Sequence, residues 1–251
     1  LWEFALAGGI GFGLGGYCMM QTLKRLGSPH SLLMVESSTA VFAGFFAWMA
    51  LDDTLAVSQL LSCVVILGGV LFAGSSWIKE EASSRKTSSQ GYLFAIAAAV
   101  FQAISLTLSR DAFLTAGSLS LGIDKFNAAF IRLMGGLLIA LFLISFSFFC
   151  NKNQLFFKPD GASPLLSKGK PLKQQPLVWV FANALFGPVL GVTCWLWAVS
   201  LLNPGIVQSI AATAPLISLP ISRKLESHRL GNRFFVGAPV AILGIAALML
   251  W

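Results

Sequence analysis

Charge is what this sequence has least of. Asp, Glu, Lys and Arg together make up 11% of the 251 residues, less than half their share in soluble domains. Hydrophobic residues make up 56%, Phe alone contributes 21, and the mean hydropathy is +0.79. A soluble globule of this length needs far more polar surface, so the chain belongs in a bilayer. Cysteine is scarce as well: four in this length give no disulfide framework, and they are far apart. Only two His occur, and there is no HExxH, CxxC or GxSxG. A membrane metalloprotease and a serine hydrolase are therefore unsupported, and neither a metal nor another cofactor is expected. No Lys lies deep in an apolar run, which removes a retinal Schiff base.

The net charge of +7 is not a nucleic-acid signal, because almost every charge sits in a short connector between apolar runs. Basic connectors beside membrane spans follow the positive-inside pattern. A span needs about 20 apolar residues, and charge-poor runs supply eight: Phe4 to Leu23, Ser31 to Ala50, Val57 to Trp77, Gly91 to Ser109, Asn127 to Cys150, about 177–200, about 205–222 and Phe234 to Trp251. Asn203-Pro204-Gly205 divides the sixth from the seventh as a turn signal. The stretch 151–176, rich in Lys, Pro, Gly and Ser, is expected to be a mobile loop, and 78–90 a basic linker. The connectors after spans one, three, five and seven hold 14 Lys and Arg, against 2 after spans two, four and six. That bias places the basic connectors in the cytoplasm.

A shift of 176 residues sets Leu14-Gly15 on Leu190-Gly191, Cys18 on Cys194 and Ile66-Leu67-Gly68 on Ile242-Leu243-Gly244. Spans one to three then match spans six to eight, and spans four and five open the second copy. The first copy is thus expected to be residues 1–77, the last three helices of a five-helix unit whose first two would precede Leu1. The second is expected at 91–251. An odd-numbered unit forces opposite orientations on its two copies, and inverted repeats are a transporter pattern, with the substrate between the halves.

Short motifs carry a family resemblance. The run Gly187 to Gly191, the turn Leu202 to Gly205, the stretch Ala211 to Leu216 and the closing Ile242 to Gly244 resemble the end of an EamA domain, as does Leu225-Glu226 followed by Arg229-Leu230. Phe130-Ile131-Arg132-Leu133 with Gly135-Gly136 resembles that family's second helix. The first copy departs from the pattern, with Ser38-Thr39 for the usual Ser/Ala-Pro and Asp52-Asp53 near the expected Glu. The resemblance implies a drug/metabolite transporter: an all-α, polytopic, ten-helix fold of two inverted five-helix repeats, N-terminally truncated to eight transmembrane helices here. It implies an exporter of a small organic solute in the plasma or inner membrane. No cluster of acid, base or metal ligands stands at one interface, so no enzyme is expected; a monomer or homodimer is expected, with protons or another ion as the coupling partner. The resemblance also implies cytoplasmic termini, the reverse of what the connector charges give. The alternative class is a non-transporting membrane protein, a lipid-modifying enzyme or a receptor.

Several side chains are candidates for the solute site. Glu36 is a carboxylate about six residues into an otherwise charge-free span, at a cost on the order of 2–3 kcal/mol unless a cavity or partner receives it. Burial penalises its charged form, so it can exchange a proton, ligate an amine, or serve as a structural carboxylate. Arg132 suits an anionic group or a structural pairing with a helix end or with Glu36. Among the amides, Gln21, Gln102, Asn183 and Gln208 lie in helices that the repeat places at the centre, each with interhelical adhesion as its plain role. Trp195 offers an aromatic wall or simple packing, and the Tyr17 hydroxyl needs a partner, whether solute or helix. Gly11-Phe12-Gly13-Leu14-Gly15-Gly16 spells a dinucleotide fingerprint, but no strand precedes it. Its four-residue glycine spacing reads as helix contact. The Asp52-Asp53 connector reads as solvated.

Overall fold

A computed structural model describes residues 2–84, 89–118, 124–150, 181–182, 184–214, 216 and 232–249. Helix α1 occupies residues 2–26 as Trp2–Gly8, a π-helical stretch Gly9–Gly15, and Gly16–Leu26. Then follow α2 (Ser28–Leu51), α3 (Val57–Ser84), α4 (Ser89–Ser118) and α5 (Lys125–Cys150). Helix α6 joins a second π-helical stretch, Leu185–Gly191, to Val192–Leu201; α7 is Pro204–Ala211 and α8 is Asn232–Met249. No strand occurs among the described residues. Among the described residues, four segments are long and apolar enough to cross a membrane: His30–Leu51, Val57–Ser75, Ser89–Gly117 and Lys125–Ser145. The chain is thus an all-helical, polytopic membrane protein. The expected loop at 151–176 and most of the connector before α8 lie outside the described residues.

Turn chemistry fixes the helix ends. Gly27 adopts φ 84°, a left-handed value that a side chain disfavours, and Pro29 opens the first turn of α2. At the other end of α2, Asp52 takes φ 50°, a region that Asp tolerates better than most residues. Asn203 caps α7: its side chain accepts from the Gly205 N–H at 2.8 Å, ahead of Pro204 in the first turn. Helices α3 and α4 overrun the expected spans furthest. Helix α3 continues to Ser84, into the stretch read as linker, and α4 passes Ser109 to take in Arg110 and Asp111.

Burial is arranged for lipid surroundings. The buried positions are dominated by small residues, such as Ala43, Ala47, Ala73, Ala98, Ala99, Ala103 and Ala241, while Leu138, Phe142 and Leu243 are each more than 60% exposed. With lipid as apolar as leucine, helices associate by close packing of small residues. The α3–α8 pair shows this most fully. A Cβ on Gly69 would lie 2.6 Å from the Ala241 nitrogen, and one on Gly244 2.7 Å from Ile66 Cγ1. Ile66, Val70 and Ala73 fill the same seam. Gly68, one residue away, faces open space. Gly69→Leu is expected to lower stability by about 1–3 kcal/mol through overpacking, whereas Gly68→Ala costs nothing measurable. Thermal unfolding in detergent checks both, and equal midpoints for the two variants would refute this seam.

Candidate functional site

The two π-helical stretches, α2, α4, α5 and α7 surround a cavity of about 490 Å³, as bounded by the described residues. Its polar wall comes from Glu36 on α2, Gln102 on α4, Arg132 on α5 and Gln208 on α7; Trp195 on α6 and Phe12 on α1 supply aromatic surface. Gly11, Gly187, Gly191 and Ala211 add no bulk, which leaves the space open. π-Helical turns recur at functional sites, where they widen a helix locally. The two here, 9–15 and 185–191, are 176 residues apart, the same offset that the sequence repeat has.

Glu36 meets its partner across the helices: Gln208 Nε2 donates to Glu36 Oε2, leaving Gln208 Oε1 without a hydrogen bond among the described residues. Gln208 is 1% exposed. Under the 176-residue shift Glu36 falls on Ala212 and Gln208 on Leu32, so the pair has no polar counterpart at the matching positions. Beside it, Thr39 Oγ1 lies 3.4 Å from Gln102 Oε1 while donating to the Val35 carbonyl at 2.7 Å.

Arg132, also 1% exposed, does not pair with Glu36 or with any other described carboxylate. Its NH1 and NH2 donate to Ser109 Oγ and Ser105 Oγ, each at 2.8 Å. A hydroxyl accepts and donates at once, and these pass the interaction on: Ser109 donates to the Ser105 carbonyl and Ser105 to that of Ala7. The guanidinium also lies over Trp195 at 5.0 Å and Phe12 at 5.4 Å, contacts of the cation–π type. Trp195 is therefore an aromatic wall already engaged by a cation. Gly11 makes the arrangement possible, since a Cβ there would strike the Ser105 hydroxyl.

The structure thus brings Glu36, Gln102, Arg132, Trp195 and Gln208 to one cavity. Tyr17 and Gln21 are not part of its lining. Tyr17 packs against the cluster of Cys18, Ala95 and Ala98 between α1 and α4, and Gln21 Oε1 accepts from Arg25 at 2.8 Å, one helical turn away. Asn183 lies outside the described residues. The glycine run of α1 meets α4 and α5, as its spacing suggested: Gly9 and Gly13 abut Ile139, and Gly15 abuts Gln102. Sequence reasoning missed Ser105 and Ser109. Their spacing of four on a helix opposite a lone Arg was the available signal. No group of His, Cys, Asp or Glu able to hold a metal occurs among the described residues.

Residues 89–250, well over half the chain, match the EamA-like transporter family. The chain belongs to that family. An EamA-like protein is a membrane transporter of small solutes, so a bilayer and a small-molecule substrate are its surroundings. One solved structure, described only as a crystal structure of a protein, is 16% identical and superposes with a TM-score of 0.62, covering 100% of this EamA-like chain and 76% of its own; it supports the fold alone. No curated protein matches the sequence.

Arg132 hangs on its serines. Ser105→Ala removes one charge-assisted bond and orphans part of a buried cation, with an expected cost of about 2 kcal/mol. A fall in the thermal midpoint checks this; an unchanged midpoint contradicts it.

Proposed function

We propose that this EamA-like chain is a secondary transporter that moves a small organic solute by alternating access, seating it in the cavity near the membrane midplane between two inverted copies. Residues 1–77 then belong to the first copy and 91–251 to the second, in a ten-helix 5+5 plan of which eight helices fall in this chain. Export across the plasma or inner membrane is the direction that the family resemblance suggests. The observation that carries the reading is the Glu36–Gln208 hydrogen bond. It joins α2 of the first copy to α7 of the second at the wall of a cavity. A carboxylate there changes its interactions with its own protonation: ionised, it accepts from Gln208; protonated, it can donate to the unpaired Gln208 Oε1. Proton loading thereby alters what the cavity offers a solute. The matching offset of the two π-helical stretches supports the inverted-copy plan. Arg132 presents a buried positive charge to the same space and suits an anionic group on the cargo.

Glu36→Gln keeps the shape of the side chain and removes its titration. The expected outcome is loss of gradient-driven uptake and of its pH dependence, with folding and much of the solute binding retained. Uptake assays in proteoliposomes across a pH series check this. Unchanged pH dependence rules out the coupling role, and a variant that fails to fold marks Glu36 as structural.

A further inference from the structure

In the connector read as solvated, Asp52 is exposed as expected, but Asp53 is partly buried and engaged. Asp53 Oδ2 lies 3.5 Å from Arg110 Nε, and the two side chains are only 26% and 12% exposed. Arg110 NH1 donates to the carbonyls of Val199 at 3.1 Å and Ser200 at 2.9 Å, which the C-terminus of α6 leaves without helical partners. A cation at a helix C-terminus also meets the favourable end of its dipole. Asn203 Nδ2 donates to the Asp53 backbone carbonyl at 2.9 Å while its Oδ1 caps α7. One connector between α2 and α3 is therefore bound to Arg110 of α4 and to the start of α7, and through Arg110 to the end of α6.

What lies beneath has the same order along three helices. From the cavity toward this cluster, α2 passes from Glu36 to Ala43, α4 from Gln102 to Leu106, and α6 from Trp195 to Val199, and Val207, next to Gln208 on α7, packs with them. Those four apolar residues form a buried cluster, the first three at 0% exposure and Val207 at 5%. The cavity is thus separated from the face where α2 ends by an apolar layer and, beyond it, a polar cluster.

We infer that Asp53, Arg110 and Asn203 are a latch that holds the two copies together on that face, and that solute reaches the face only when the latch and the apolar layer part. The inference rests on the alternating-access reading. It assigns the three residues to gating, away from the cargo.

The test is thiol accessibility in the full chain. Val207→Cys places a reporter in the apolar layer, and Val70→Cys places one in the separate α3–α8 core, where Val70 is 0% exposed. A hydrophilic maleimide is applied, and site-resolved mass spectrometry separates the reporters from native Cys18, Cys63, Cys150 and Cys194. Asp53→Asn removes the charge while keeping the backbone carbonyl that Asn203 uses. Arg110→Lys keeps the charge but cannot span the carboxylate and two carbonyls with one planar group. Each is expected to raise labelling at position 207 about tenfold, the order expected for losing a partly shielded charged contact, with position 70 still protected. Unchanged labelling at 207 in both variants overturns the latch, and so does a parallel rise at 70, which signals general unfolding. The reading needs no solute: faster labelling in a protein that moves no cargo supports the latch while sinking the transport reading, and unchanged labelling in an active transporter sinks the latch alone.

Discussion

In hydrocarbon a polar side chain has no water to turn to, so each one in this bundle is accountable to a partner inside the protein. The two ionisable groups of the central cavity meet that demand without meeting each other. Glu36 takes its bond from an amide on another helix, and Arg132 is held by two hydroxyls and two aromatic faces. Keeping them apart leaves a donor and an acceptor, Arg132 Nε and Gln208 Oε1, buried and unbonded among the described residues. Such atoms are costly in a structure whose only purpose is stability, and they suit one that must grip and release a polar molecule.

The same constraint shapes the scaffold. Helices that bury alanine and glycine against one another approach closely enough for backbone atoms to touch, as at Gly44 and Gly205 between α2 and α7. That crossing joins α2 to α7, with Glu36 and Gln208 on one side of it and Asn203 and Asp53 on the other. Small side chains interlock little, so sliding or rocking of one helix on another disrupts few interdigitated groups. Polar contacts then set which arrangement is held, a division of labour that suits a transporter.

Hydropathy made the helices legible, because long apolar runs have one stable form in a bilayer. Their ends were less so. Arg110 was read as the start of a connector, since a charge usually marks the water boundary; its guanidinium is instead taken up by Asp53 and the carbonyls ending α6. The candidate site was half legible. Glu36 and Arg132 stand out because isolated charges in apolar runs are rare. Gln21 and Gln102 look alike in sequence, and only the rotation of each helix decides that Gln102 faces the cavity while Gln21 serves Arg25. The π-helical stretches leave no composition signal beyond their glycines, yet they open the wall of the site.

The central claim is that the cavity between α2 and α7 is where a solute binds. Its most direct measurement is a thermal-shift screen of small organic solutes on the purified protein, repeated on Ala211→Phe, which fills the cavity from its wall. A solute that raises the unfolding temperature of the native chain should leave that of the filled variant unmoved. A shift that persists undiminished in Ala211→Phe would contradict the claim and place the solute elsewhere.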